Sequence, residues 1–369
     1  KIMAAGTVDK PIVFTSDRPA GQRATGDWGG VVLCGRASTN KHDEGDGIGI
    51  AEGGILSQYG GNDDNDNSGI LQYVRIEFPG IPLTSIANSE INGLTLYSVG
   101  KSTVIDHIQV SYSGDDSFEW FGGNVNAKYL VALGGLDDDF DTDNGFSGKL
   151  QFLFGLRDPN KSDQSGSNGF ESDNDADGSL LTPITSPVFS NVTVYGPLTV
   201  TSTLPGGHMF QKAMHLRRGT MTSVYNSVFV GYPEGLSIDG QKGNSPTRAD
   251  QNELQIENTI LAGMTTNFVE KTGTVATPYT VPQHIAYFEA ASRNNIDNMT
   301  VADVIGGSMI SLTSPVVLPG PGSVLLTGAS FTNSRLTDPF FNAVTYRGAF
   351  GTADWTSGWC NWDPQNAVY

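Results

Sequence analysis

Basic residues are scarce in this sequence. Only 21 of 369 residues are Lys or Arg, against 39 Asp or Glu, which leaves a formal net charge of −18. A chain so acidic is repelled by phosphate backbones and anionic lipid, so nucleic acid and anionic membrane surfaces are disfavoured as partners and divalent cations are favoured. Long apolar runs are missing too. No stretch approaches the roughly 20 apolar residues of a membrane span, and runs of Ala, Glu, Lys and Leu, the mark of long helices, do not occur. Cysteine is limited to Cys34 and Cys360, which suits either redox compartment and provides no disulfide framework. No glycine-rich phosphate loop follows a strand and opens a helix, and no Gly-x-Ser-x-Gly elbow is present, so nucleotide cofactors and serine hydrolysis have no sequence support.

What the sequence does hold is glycine, 46 residues of it, with Asn, Asp, Ser and Thr at its polar positions. That composition suits a solenoid of short strands, where each turn spends several residues on corners. A short pattern of alternating apolar residues closed by glycine recurs at 75–80 (RIEFPG), 129–134 (YLVALG), 150–155 (LQFLFG), 191–196 (NVTVYG), 226–231 (NSVFVG) and 258–263 (NTILAG), with a looser copy at 107–114. Each copy reads as a strand of about five residues closed by a glycine with the positive φ that a corner needs. Asn191, Asn226 and Asn258 share one position, which predicts asparagines bonding along the solenoid axis. Segments such as 117–121 (SFEWF), 139–143 (DFDTD) and 169–173 (GFESD) predict a second strand in each rung.

The expected fold is therefore all-β, a right-handed single-stranded parallel β-helix. Residues 1–264 carry the rungs. Residues 265–369 belong to the same domain as irregular loops, with a short helix expected at 284–292. The aromatic end, 354–362 (DWTSGWCNW), is expected to cap the core, since an open β-helix end exposes apolar surface and strand edges. Cys34 and Cys360 can pair only if the tail folds back, because rungs rise ~4.8 Å each; otherwise they are two separate thiols. Lys1, Ile2 and Met3 open directly into strand-like sequence, the pattern of a mature or trimmed piece of a longer precursor.

The segments 26–33 (GDWGGVVL), 112–123 (YSGDDSFEWFGG) and 137–145 (DDDFDTDNG), with Gly348 to Phe350, Trp355 and Trp359, resemble a group of secreted bacterial proteins. These are common in Bacteroidetes and other Gram-negative bacteria. The resemblance spans nearly the whole chain. It implies a pectin-lyase-like (pectate-lyase-like) β-helix exposed outside the cell or on the outer cell surface, with no settled activity. The two cysteines look atypical of that group.

The strongest chemical signal is acidic. Aligned by the repeats, Glu119, Asp141 and Glu171 hold one position on successive rungs, and Asp143 and Asp173 a second. Carboxylates stacked about 5 Å apart must share protons, be solvated or hold a cation. The turns around Asp137, Asp139, Asp141 and Asp143, and around Asp173, Asp175 and Asp177, alternate oxygen ligands in the manner calcium prefers. The second turn copies the first half of an EF-hand, but Ile184 stands where that loop carries glutamate and no helices flank it. A structural calcium is expected on these residues; the competing reading is that acidic corners only keep the solenoid soluble. The loop 62–67 (NDDNDN) has no such ladder and reads as solvated. His208 and His215 find no cysteine or carboxylate nearby in sequence to complete a transition-metal set.

Three function classes follow. The favoured one is a calcium-stabilised, non-catalytic surface protein for adhesion, matrix assembly or glycan binding, with extracellular polysaccharide or surface components as partners. The second is a polysaccharide-cleaving enzyme. As a lyase it would take its base from Lys149, Arg157, Lys212, Arg217 or Arg218, and as a hydrolase it would use carboxylate pairs among Asp115, Asp116, Asp139 and Asp141. The third is a self-assembling filament or surface-layer subunit.

Overall fold

A computed structural model describes residues 1–52, 57–82, 91–307 and 309–369. Among these residues the strands form a 12-stranded sheet, an 8-stranded sheet and one small hairpin, Ile48–Ile50 with Gln58–Gly60. The hairpin is antiparallel, whereas the strand pairings of both large sheets are parallel, as a β-helix requires. The smaller sheet stacks Val31–Cys34, Leu94–Tyr97, Phe118–Phe121, Phe140–Asp143, Phe170–Ser172, Lys212–Leu216, Glu234–Ile238 and Thr266–Phe268 in that order.

Alternation decides which side chains fill the interior. Leu94, Phe118, Phe140, Phe170, Met214 and Leu236 are in register in the small sheet and face the core, all but fully buried. Phe140 stacks on Phe118 and meets Phe170 edge-on, with centroids 5.5 Å away in both cases. Burying a large apolar side chain in this way stabilises the fold by about 1.5–3 kcal/mol.

Each rung has three straight segments rather than the two expected, because the strands of the large sheet bend in the middle. The bend falls at Tyr73, His107, Tyr129, Phe152, Asn191, Asn226 and Asn258, all left-handed with φ between 50° and 63°. Asparagine tolerates that region; aromatics do so at a cost. Here ring stacking offsets the cost, with centroids 4.3 Å apart for Tyr73–His107 and His107–Tyr129 and 5.2 Å for Tyr129–Phe152. The asparagine ladder differs in part from expectation. Asn294 does donate to Asn258 (2.9 Å), but Asn191 and Asn226 bond the backbone of Tyr346 and Ser330 from the C-terminal segment.

The pairing also corrects the repeat alignment. Leu130 pairs with Leu153 and Val74 with Ile108, so the copies at 75–80 and 150–155 are each two residues out of step. A slip of two preserves the in–out alternation, so the apolar pattern could not expose it. The corner position runs Phe78, Tyr112, Gly134, Arg157, Gly196, Gly231 and Gly263, while Gly155 lies within a strand. At Gly155 a side chain would collide with Asp139 Oδ2, at 2.8 Å from a built Cβ, which gives that glycine a packing role instead.

The rungs run past residue 264: Thr266–Phe268 extends the small sheet and Ile296–Met299 the large one. The expected helix starts earlier than predicted, at Val281–Phe288, where Gln283 accepts from the Thr280 backbone N–H and Pro282 occupies the first turn. The aromatic C-terminus covers apolar surface, but on the outer face of the large sheet rather than on the solenoid end. Phe350, Trp355 and Trp359 pack with Val131, Leu133, Phe154 and Leu156, and Asn361 exchanges hydrogen bonds with Gln109 at 2.8 Å. Further on, Arg23 donates to the carbonyl of Pro364 (2.6 Å). The tail thus folds back toward the early rungs. Both cysteines are nonetheless free, since Cys34 lies on the small sheet and Cys360 in the C-terminal strap that covers the large one.

Candidate metal centre

The register places Thr95, Glu119, Asp141, Glu171, His215 and Ser237 one above another on the outer face of the small sheet. A second ladder stands two residues before each core-facing residue: Asn92, Asp116, Asp138, Asn168 and Lys212. The backbone bonds Gly93 N to Asp116 O (2.8 Å), Ser117 N to Asp138 O (2.9 Å) and Gly169 N to Lys212 O (2.9 Å) follow that stacking. The second ladder is acidic on the two middle rungs and turns to amide or cation on either side; the first is acidic on three, Glu119, Asp141 and Glu171, between Thr95 and His215.

The amides supply donors. Asn92 Nδ2 donates to Glu119, and Asn168 Nδ2 reaches Glu171 at 3.3 Å. On the middle rungs Asp116 and Asp138 replace the amide, so acid faces acid. Among the described residues no salt bridge joins Asp116, Glu119, Asp138 or Asp141 to a Lys or Arg. Asp116, Glu119 and Asp138 border a cleft of about 640 Å³ whose acidic wall also includes Glu52, Asp115, Asp137, Asp163 and Glu171, with Arg217 as its one cationic wall residue among those described. Three overlapping clusters bring carboxylate oxygens within 4.8 Å of one another: Asp115 with Asp116 and Asp137, Asp116 with Glu119 and Asp141, and Asp138 with Asp141 and Glu171.

Electrostatics follow from that crowding. Burial, reinforced by neighbouring carboxylates, pushes Asp116, Glu119, Asp138 and Asp141 well above the usual carboxylate range. Burial also lifts Asp137 to about 7, against the pull of the Ser165 hydroxyl. Glu171 is the exception. Burial raises it, but Arg217 and the His215 hydrogen bond outweigh burial and hold it below the usual range. Both of its oxygens are engaged, one by Arg217 and the other by His215 Nδ1 at 3.2 Å.

The residues singled out in the sequence separate accordingly. Glu119, Asp137, Asp141 and Glu171 converge, together with Asp115 and Asp116. Asp139 does not: it lies in the core, in an ion pair with Arg157 at 2.9 Å, both side chains fully buried. Asp143 stands outside the three clusters. The turn at 173–178 is held by its own hydrogen bonds and by basic neighbours, apart from the three clusters. Asp173 pairs with Arg217 (2.7 Å) and Arg218, Asp175 accepts from Asp177 N, Ser179 N and Ser179 Oγ, and Asp177 points to solvent beside Lys242. Lys149 sits on the large sheet, paired with Asp338 at 2.7 Å. Lys212 is paired with Glu234 at 3.3 Å, and of the five candidate bases only Arg217 lines the cleft.

Sequence reasoning missed Asn92, Asp138 and His215 as neighbours of the site. His215 links Glu171 to Asp239 (3.0 Å). The signal was present as a four-residue motif at 92–95 (NGLT), 116–119 (DSFE), 138–141 (DDFD) and 168–171 (NGFE), whose first and last positions form the two ladders.

Calcium takes six to eight oxygens at 2.3–2.6 Å, so one ion can touch oxygens up to about 5 Å apart. The carboxylate clusters meet that spacing, and their all-oxygen donor set suits a hard divalent cation rather than a transition metal. No helix of the described chain is long and apolar enough to cross a membrane. No curated protein and no solved structure matches the chain. The family described as the pectate-lyase like beta helix domain matches residues 1–305, and the chain belongs to that family.

Proposed function

We propose that this chain is a secreted or cell-surface β-helix, stabilised by calcium, that recognises extracellular glycan or matrix components without cleaving them. The observation that carries the reading is that Asp116, Glu119, Asp138 and Asp141 crowd together on two adjacent rungs beside a cleft, with no salt bridge from any of the four to Lys or Arg among the described residues. A cation held there would neutralise the ladder and offer open coordination positions to hydroxyl or carboxylate groups of a sugar. An acidic glycan would otherwise be repelled by the net charge. Lyase chemistry is disfavoured because Arg157 and Lys149 are committed elsewhere and Arg217, although burial disfavours its charge, is held firmly ionised by Glu171 and Asp173.

A hydrolase has one feature in its favour: burial pushes Asp116 and Glu119 well above the usual carboxylate range, the direction a general acid needs. One experiment addresses both readings. The protein is incubated with acidic and neutral polysaccharides, with calcium or with chelator, and bound glycan and newly formed chain ends are measured together. Calcium-dependent retention without new ends is the expected result. New reducing or unsaturated ends would overturn the non-catalytic reading and make Asp116→Asn the next variant.

A further inference from the structure

The three carboxylate clusters are not equivalent. In the cluster of Asp138, Asp141 and Glu171, the Arg217 guanidinium already sits on Glu171 and also on Asp173 (2.7 Å). An internal cation therefore occupies that end of the row. The other two clusters meet at Asp116, which belongs to both. Asp116 is only 6% exposed, and its Oδ1 already accepts from the Asp138 backbone N–H at 2.7 Å, so its carboxylate is fixed between two adjacent rungs.

A separate observation points to a missing ligand at the same place. Asn92 is also 6% exposed and lines the cleft. Its Nδ2 donates to Glu119, but its buried Oδ1 has no hydrogen-bond partner among the described residues. Oδ1 of Asp137 and Oδ1 of Asp141 are buried without a partner in the same way. Each is an oxygen acceptor, and each stands next to one of the two clusters that lack Arg217. Buried acceptors without donors are costly, and a hard cation satisfies several of them together.

Resting on the cation reading above, we propose that the cleft binds two divalent cations that share the Asp116 carboxylate, and that Arg217 occupies the place of a third. The ion nearer Asp137 draws on Asp115, Asp116 and Asp137. The other draws on Asp116, Glu119 and Asp141, with the Asn92 carbonyl beside it. Arg217 thereby sets the count by substituting a fixed guanidinium for a metal at the Glu171 end.

The test is a count of bound calcium on the full chain, stripped with chelator and dialysed against radioactive calcium. Two ions per chain are expected. Glu119→Gln is expected to leave one, and Asp116→Asn to weaken both by at least tenfold. Asp177→Asn, solvent-exposed beside Lys242 and outside both clusters, is expected to keep two. Arg217→Gln is expected to admit a third ion; should that variant fail to fold, the first three decide alone. A single ion in the unaltered protein, or an Asp116→Asn chain that loses one ion and binds the other unchanged, would overturn the shared pair while leaving a calcium site in place. No bound ion at all would overturn both this inference and the reading on which it rests.

Discussion

Asp139 lies between Asp138 and Asp141, yet its side chain plays the opposite part. It faces inward, where Arg157 Nη1 donates to it at 2.9 Å and the Tyr232 hydroxyl stands 3.3 Å away. Burial alone would disfavour the guanidinium charge, but Asp139 more than offsets that and keeps Arg157 ionised. Removing one partner of such a pair leaves a buried charge uncompensated. Asp139→Asn is therefore expected to lower stability by about 3–5 kcal/mol in denaturant unfolding, with the calcium count unchanged. Asp141→Asn, two positions away on the outer face, is expected to do the reverse. It relieves repulsion within the ladder, so the melting temperature in chelator should rise, while calcium binding falls at least tenfold. If the two variants behaved alike, the inward and outward assignment of these neighbours would be wrong.

At the scale of the rung, the alternation of core-facing Phe118, Phe140 and Phe170 with outward Glu119, Asp141 and Glu171 was legible in the sequence, since period two is a local property of a strand. Alignment between rungs was less legible. A slip of two residues leaves the same faces buried, which is how the copies at 75–80 and 150–155 came to be placed out of step. The candidate site was legible to the same degree. The carboxylates following each phenylalanine stood out, but Asp138 and Asn92 were passed over because their ladder lies in a corner, outside the strand pattern. The strap was legible only in part: its aromatic residues predicted a cover for apolar surface, but nothing local says that Trp359 will stand edge-on to Tyr73 and His107 on the outside of the large sheet. The structure makes that contact substantial, since Trp359 is 1% exposed. Trp359→Ala is expected to cost about 3–5 kcal/mol, comparable to Phe140→Ala in the interior, and to raise binding of an apolar dye at the uncovered sheet face. A change below about 1 kcal/mol would show that the strap rests on the sheet without supporting it.

For the molecule as a whole, the acidic ladders make stability a function of pH and cation together. Asp116, Glu119, Asp138, Asp141 and Asp143 titrate well above the ordinary range, chiefly because they are buried, and Asp137 near 7. In the unfolded chain the same groups lose their protons near pH 4. Between those values the folded state holds more protons than the unfolded one, so stability falls as pH rises through the folded-state values. Glu171 and Asp239 act with the opposite sign, because their partners hold them below the ordinary range; their contribution is lost only under more acid conditions. From pH 5 to 8 the raised group therefore dominates, and in chelator the melting temperature is expected to decline across that interval. Calcium must displace the same protons, so its affinity should increase with pH. At a hundred times its dissociation constant a single ion adds about 2.7 kcal/mol, and the stabilisation it gives should be larger at pH 8 than at pH 5. Melting curves at both pH values, with calcium and with chelator, check all of this in one set. A melting temperature in chelator that climbs from pH 5 to 8 would mean that the ladder carboxylates ionise freely, and that repulsion between the rungs is not what a cation is needed to relieve.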